Sequence, residues 1–285
     1  MNDWLTPSLQ ERVLAKLGFA SAPTPTLENL RAIYAAWCRK VPFDNVRKLI
    51  HVRAGNPGPL PGSTPEDFLE AWLKHGTGGT CWAGAGAFHA LLASLGFNVM
   101  RGVGTMLVTP SVSPNHGTVI VTLDEDRFLV DCSILHGEPL RLTEDAETRV
   151  EHSAWGVRCS KRDQHWYINW RPLHQLDGFE CRLEYFGAAQ REFQNFHERT
   201  RSWSPFNYEV TARLNRGDRV VGLAFGKAVS LEADGSVREA AVTHAERVRI
   251  LIEDLGMSEE IAQQLPEDVA TPPPPGSRTA RAKAK

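Results

Sequence analysis

The sequence predicts an α+β fold, and three observations carry that prediction. Apolar residues recur at helical spacing through residues 1–96. From Asn98 to Phe186 short β-rich runs separated by turn residues take their place. After residue 200 strand-like and helical runs both recur. With 285 residues, 42% hydrophobic and 23% charged, the chain is long enough for a large core and two or three subdomains.

Residues 7–20 and 27–40 read as amphipathic helices, with Leu9, Val13, Leu14 and Leu17 on one and Leu27, Leu30, Ile33 and Trp37 on the other. Ser21-Ala22-Pro23-Thr24-Pro25 breaks them apart, and Pro42 ends the second. Residues 55–64, rich in Gly and Pro, form a loop. A short helix follows over residues 65–75, capped by Thr64 or Ser63. The next helix starts at Cys81 and runs to about Leu95, with Gly96 as its C-terminal glycine.

Val99–Val108, Gly117–Leu123 and Arg127–Val130 are predicted strands, the last two joined by the turn Asp124-Glu125-Asp126. Val157–Ser160, His165–Trp170 and Phe179–Phe186 extend the β region into an antiparallel sheet or small barrel. Phe193–Arg201 reads as a short helix. Val210–Asn215, Arg219–Phe225 and Lys227–Leu231 are strands, and residues 243–255 and 258–265 are helices. The predicted boundaries are 1–97, 98–200 and 201–268, followed by a tail over 269–285. The Pro-rich and then basic composition of the tail predicts disorder.

Composition excludes several classes. Net charge is −2, and −6 without the four tail cations, so nothing favours nucleic acid. No apolar run approaches the roughly 20 residues of a membrane span, and the start of the chain lacks a signal-peptide pattern. Five widely spaced cysteines, with no CxxC pair and no HExxH motif, predict free thiols in a reducing cytoplasm and no metal.

The most informative feature is the order Cys81, His116, Asp131. Cys81 follows Gly78-Gly79-Thr80 at a helix start, His116 lies in Pro114-Asn115-His116-Gly117, and Asp131 ends Phe128-Leu129-Val130-Asp131. A helix N-terminus and a neighbouring imidazole both favour a thiolate. A carboxylate behind the imidazole fixes its tautomer and stabilises its charged form. Gly78 and Gly79 allow a tight turn, and the amides there are candidate oxyanion donors. Cys38, Cys132, Cys159 and Cys181 read as small core hydrophobes. Cys132, beside Asp131, is a second candidate nucleophile, but it lies in a strand-like run without a glycine turn.

These residues resemble the arylamine N-acetyltransferase family, which has a Gly-Gly-x-Cys loop, a histidine before a strand and an aspartate ending the next hairpin. Pro42-Phe43-Asp44-Asn45, Asn195 and Ser202-Trp203-Ser204-Pro205-Phe206 resemble further stretches of the family, so the likeness covers about residues 8–265. It implies an N-terminal helical bundle, a central antiparallel β-barrel and a C-terminal α/β lid, with a papain-like cysteine catalytic core. Cys81, His116 and Asp131 would then be the catalytic residues. Phe43, Trp82, Phe128 and Phe206 would line the substrate site, with Pro42 beside them.

Two positions depart from the family pattern. Thr77 stands where the family has an arginine, and Ala83, after Trp82, where it has a glutamate. Losing both members of an ion pair together avoids stranding one buried charge. It predicts a less polar site shaped for a different substrate, in the manner of relatives that form amides in natural-product biosynthesis.

The implied chemistry is a ping-pong transfer. An acyl group passes from an acyl-coenzyme A or acyl-phosphopantetheine co-substrate, the latter on an acyl carrier protein, through acyl-Cys81 to a small-molecule amine acceptor. No permanently bound cofactor is implied. Arg101, Arg127, Arg213 and Lys227 are the cations available for donor phosphates, each otherwise a solvated surface charge. Two other readings compete: a cysteine hydrolase or transglutaminase-like enzyme with the same triad, and a non-catalytic binding module.

Overall fold

A computed structural model describes residues 4–108, 112–175 and 177–275. The first part is helical. The helix α1 (Pro7–Leu17) is capped by Thr6 and ends earlier than predicted, because Gly18 takes a left-handed conformation. The helices α2 (Leu27–Lys40) and α4 (Pro65–His75) are capped by Thr26 and Thr64, whose hydroxyls accept the Asn29 and Asp67 amides. Trp72 on α4 donates its indole N–H to the Lys40 carbonyl at 2.9 Å, locking α4 to the end of α2.

Between these helices the chain forms two elements that the sequence pattern does not reveal. The two-residue strand β1 (Phe43–Asp44) pairs with a strand far downstream, and α3 (Val46–Arg53) follows it. The helix α5 (Cys81–Ser94) is the central helix. Eleven of its residues are buried, and it packs against α4 and against β2, β3 and α6, described next. Burial on every face explains its run of Ala and Gly and its lack of charge.

The β region is one antiparallel sheet of eight strands. These are β2 (Asn98–Met106), β3 (His116–Leu123), β4 (Asp126–Leu129), β5 (Leu140–Leu142), β6 (Thr148–Val150), β7 (Val157–Arg162), β8 (His165–Trp170) and β9 (Phe179–Phe186). Their spatial order is β5-β4-β3-β2-β9-β8-β7-β6. The edge strands β5 and β6 touch, and Thr148 donates to the Arg141 carbonyl across the gap, so the barrel is nearly closed. Ile120, Leu129, Ile168 and Leu183 fill it.

The helix α6 (Gln190–Arg199) follows the barrel and leads to a 3-10 turn at Pro205–Asn207. A second sheet then forms from β10 (Thr211–Arg216), β11 (Arg219–Ala224), β12 (Lys227–Leu231) and β13 (Val237–Ala241), with β1 on its edge in the order β1-β10-β11-β12-β13. The helices α7 (His244–Glu253) and α8 (Glu259–Ala262) pack on it around Leu251, Leu255 and Met257. Thr243 and Glu246 cap α7 reciprocally.

Thr271 donates to Glu209 at 2.8 Å and Val269 to the Tyr208 carbonyl at 3.0 Å, so the first residues of the predicted tail are fixed. Residues 276–285 of that tail lie outside the described residues. Among the described residues no helix is long and apolar enough to cross a membrane.

Candidate active site

Cys81 is the first residue of α5, after Thr80, whose side chain makes no cap hydrogen bond. The residue is 8% exposed, and its sulfur lies 3.8 Å from the Asn115 carbonyl. The loop before it is clamped to β1. Asp44 donates its amide to the Gly79 carbonyl at 3.2 Å, and the Gly78 amide donates to Asp44 Oδ2 at 2.6 Å. A Cβ at Gly78 would stand 1.7 Å from the Pro42 oxygen, so glycine is required here for close approach rather than for a turn. With the Gly78 amide bound to Asp44, that group is not available as an oxyanion donor, contrary to the expectation from sequence.

His116 opens β3 opposite Gly104, where β2 shifts register against β9. Asn115 latches the approach: its side chain accepts the Met106 amide at 2.8 Å and donates back to the Met106 carbonyl at 3.3 Å. His116 Nε2 and Asp131 Oδ2 are 2.6 Å apart, each residue 1% exposed. The remaining ring nitrogen, Nδ1, is the one left for Cys81, which also bonds the ring.

Asp131 is held in turn. Its Oδ1 accepts the Ser133 and Ile134 amides, both at 2.9 Å, and Tyr34 donates its hydroxyl to the Asp131 carbonyl at 2.7 Å. The turn that supplies those amides includes buried Leu135 at φ +55°, whose carbonyl accepts from Asn215 at 2.7 Å. Burial opposes charge on both groups. For Asp131 the His116 charge and hydrogen bond and the two amides outweigh it, and the carboxyl sits below its ordinary range. For His116 the Asp131 charge and the contact with Cys81 outweigh it, and the imidazole is raised above its ordinary value. The arrangement favours an imidazolium beside the sulfur.

Cys132 contrasts with Cys81. It is 4% exposed, burial pushes its thiol well up, and the neighbouring Asp131 carboxylate also opposes a thiolate.

The four aromatics divide. Phe43 bridges to Gly79 and meets Phe206 edge-on at 5.4 Å, so this pair stands beside the nucleophile loop. Trp82 is stacked on Phe196 at 4.7 Å and meets Phe193 edge-on, within the α5–α6 contact. Phe128, on β4, is buried in the same core cluster as Cys81. Of the four cations, Arg101 and Arg213 are buried rather than solvated, and Arg213 donates to the Arg171 carbonyl at 3.0 Å. Arg127 is exposed over Phe186, and Lys227 pairs with Glu239 at 2.6 Å. A groove of about 970 Å³ opens further along α5, between His89, Arg101, Gln190 and Gln194, and does not include Cys81, His116 or Asp131.

Thr77 is wholly buried, and Ala83 is 2% exposed. A Cβ built on Gly62 would stand 2.6 Å from the Ala83 Cβ, so the loop before α4 occupies the space a longer side chain would need. Asp44 is left with two backbone amides as hydrogen-bond partners and with the charge of Arg47 nearby; burial nevertheless pushes its carboxyl up to about 6. Asn45 completes that motif by donating to the Phe206 and Glu209 carbonyls at 3.0 and 2.8 Å and accepting the Thr211 amide at 2.8 Å. From sequence, Asp44 and Asn45 stand out only through the family resemblance.

A family model described as N-acetyltransferase matches residues 26–263. This chain belongs to the arylamine N-acetyltransferase family. It is 24% identical over 186 residues to the arylamine N-acetyltransferase of Escherichia coli (strain K12), covering 61% of this chain and 62% of that protein. It is 26% identical over 176 residues to the one from Mycolicibacterium smegmatis, covering 56% and 62%. The matched segment thus spans a little under two thirds of these curated relatives. Family structures superpose more completely. The arylamine N-acetyltransferase of Mycobacterium marinum gives a TM-score of 0.76 at 19% identity over 90% of this chain and 94% of that one. The M. marinum enzyme in complex with CoA gives 0.72 at 18% over 87% and 95%. At these identities the family fold is what is shared, and the chain is a divergent member.

Proposed function

We propose that this chain is an N-acyltransferase that moves an acyl group from a thioester donor to an amine through an acyl-cysteine at Cys81. The observation that carries the reading is the 2.6 Å bond between His116 and Asp131 behind a cysteine at a helix start. A buried imidazolium whose remaining nitrogen faces a sulfur is suited to holding a thiolate and little else.

In the first half-reaction the Cys81 thiolate attacks the thioester carbonyl. A carbon–sulfur bond forms to Cys81, the donor's carbon–sulfur bond breaks, and the departing thiolate takes the proton from His116 Nδ1. In the second half-reaction the amine attacks acyl-Cys81. Its proton passes to His116, and Cys81 leaves as the thiolate. Asp131 keeps its charge throughout and steadies the imidazolium. The amides of Cys81 and Trp82 at the start of α5 are the oxyanion donors, since first-turn N–H groups have no partner within the helix.

The M. marinum relative seen with CoA supports coenzyme A as the donor's thiol. The buried Thr77 and the space closed at Ala83 support an acceptor different from that of relatives carrying an ion pair there, including the amine of a natural-product amide synthesis.

The test is steady-state kinetics with acetyl-CoA and longer acyl-CoA donors against an arylamine panel. Parallel double-reciprocal lines and amine-dependent product support the reading. Release of free acid at a rate independent of amine replaces it with a hydrolase.

A further inference from the structure

We propose that Tyr34 is a positioning residue for the reaction: its hydroxyl takes the place of a strand neighbour for Asp131 and so aims the Asp131 carboxylate at His116. This rests on the reading of Cys81, His116 and Asp131 as the catalytic residues.

Asp131 lies where β4 runs out. The pairing of β4 with both of its neighbours ends at Leu129, and the Val130 amide makes one further bond to the Val119 carbonyl at 3.0 Å. One residue on, Asp131 is 1% exposed, so its own amide and carbonyl need partners from elsewhere. Tyr34 supplies them from α2, 97 residues earlier in the chain. It is wholly buried, on the face of α2 that carries Leu30, Ile33 and Trp37. Its hydroxyl accepts the Asp131 amide at 3.1 Å and donates to the Asp131 carbonyl at 2.7 Å, the two bonds that a paired residue on a neighbouring strand would make.

The other contacts of the Asp131 backbone come from its own turn. The carbonyl also accepts the Leu135 amide at 3.1 Å, and the amide lies 3.4 Å from His136 Nε2. His136 Nδ1 donates to the Glu138 carbonyl at 2.7 Å, which leaves Nε2 as an acceptor, but at 3.4 Å the bond is weak. With Oδ1 on the Ser133 and Ile134 amides, Oδ2 is the oxygen that faces His116. Tyr34 is thus the contact that ties the Asp131 backbone to an element outside the turn.

The titratable and charged groups around the pair are Cys81 from α5, Cys38 from α2, Cys132 and His136 from the turn, Cys181 from β9 and Arg213 from β10. Burial keeps the Cys38, Cys132 and Cys181 thiols protonated and His136 neutral, and the Arg213 cation favours the Asp131 carboxylate. Burial also pushes the Tyr34 hydroxyl well above its ordinary value, so it stays a neutral donor.

Without that hydroxyl, the Asp131 carbonyl keeps the Leu135 amide and the Asp131 amide keeps only the 3.4 Å contact. The backbone shifts, Oδ2 moves off the His116 ring, and the imidazolium loses part of its counter-charge. Phenylalanine at position 34 leaves the ring packing on Phe88 and His136 in place, which isolates the hydroxyl.

The test is a nitrogen-15 NMR titration of the His116 ring in the full-length enzyme, together with the burst of CoA released from acetyl-CoA. Tyr34→Phe is compared with wild type and with Leu30→Ala, which opens a cavity on the same helix without touching Asp131. The inference expects Tyr34→Phe to lower the His116 midpoint by about one pH unit. It expects the burst to slow about tenfold, with half-saturation by acetyl-CoA unchanged. A midpoint unmoved by Tyr34→Phe, or lowered as much by Leu30→Ala, overturns it.

Should Tyr34→Phe fail to fold, 3-fluorotyrosine at position 34 keeps the ring and the hydroxyl while making the O–H more acidic. The His116 midpoint must then move from its wild-type value, and an unmoved midpoint overturns the inference. A wild-type enzyme that gives no burst sinks the reading of Cys81 as nucleophile itself and takes the inference with it.

Discussion

The Asp44 carboxylate stands 2.6 Å from the Gly78 amide and 3.0 Å from the Val46 amide, so one buried side chain fixes both the nucleophile loop and the start of α3. The helical part thereby reaches the lid sheet through β1, and Cys81 inherits its position from a contact 37 residues earlier in the chain. Asp44→Ala leaves two buried N–H groups without partners. We expect a loss of about 2–6 kcal/mol in urea unfolding, from roughly 1–3 kcal/mol per orphaned group. A loss under about 1 kcal/mol would mean that the loop is held by other contacts.

Gly78 and Gly86 make opposite predictions from the same substitution. Gly78→Ala drives a methyl to 1.7 Å from a backbone oxygen and should abolish soluble folded protein or cost more than about 4 kcal/mol. Gly86, inside α5, has open space within 4 Å of where a Cβ would stand, so Gly86→Ala should stabilise by about 0.5–1 kcal/mol. Thermal melts of the two variants check both signs.

The His116–Asp131 pair sets a pH window for stability. His116 is raised to about 10 when folded, so its stabilisation is complete below its unfolded value near 6.5 and is lost as pH rises toward 10. Asp131 is lowered, so its stabilisation is present above about pH 4 and is lost as acid protonates it below that. The melting-temperature gap between wild type and His116→Gln should be largest near pH 5–6 and should shrink by pH 9. A gap constant with pH contradicts the ion pair.

Restoring the charges of the family pattern should not restore its site. Ala83→Glu has no room, because Gly62 and Gly79 already crowd the Ala83 methyl. Ala83→Glu should therefore destabilise the protein by at least the roughly 1–3 kcal/mol of overpacking, read in urea unfolding. An Ala83→Glu variant as stable as the wild type would show that the loop at Gly62 moves aside.

Much of this was legible in the sequence where one residue decides locally. Thr26, Thr64 and Gly96 mark helix ends, and Asp124 turns the β3–β4 hairpin, because caps and turns act over a few residues. The helix α3 was hidden because its eight residues mix β-branched and cationic side chains, and its first amide is met by Asp44, which lies outside it. The three-residue strands β5 and β6 are too short to show alternation. Cys81, His116 and Asp131 were visible as types in order. Arg213 was misplaced as a surface cation because its burial comes from distant elements: α2 packs against β10, and the Arg213 guanidinium lies over Trp170 of the barrel.

Intact-protein mass spectrometry after mixing with a panel of acyl-CoA thioesters and phosphopantetheine-bound acyl groups, with Cys81→Ala alongside, tests the central claim most directly. The account predicts a mass gain of one acyl group, absent from Cys81→Ala and discharged faster when an amine is added. An adduct of equal size in Cys81→Ala, or no adduct from any donor, would contradict it.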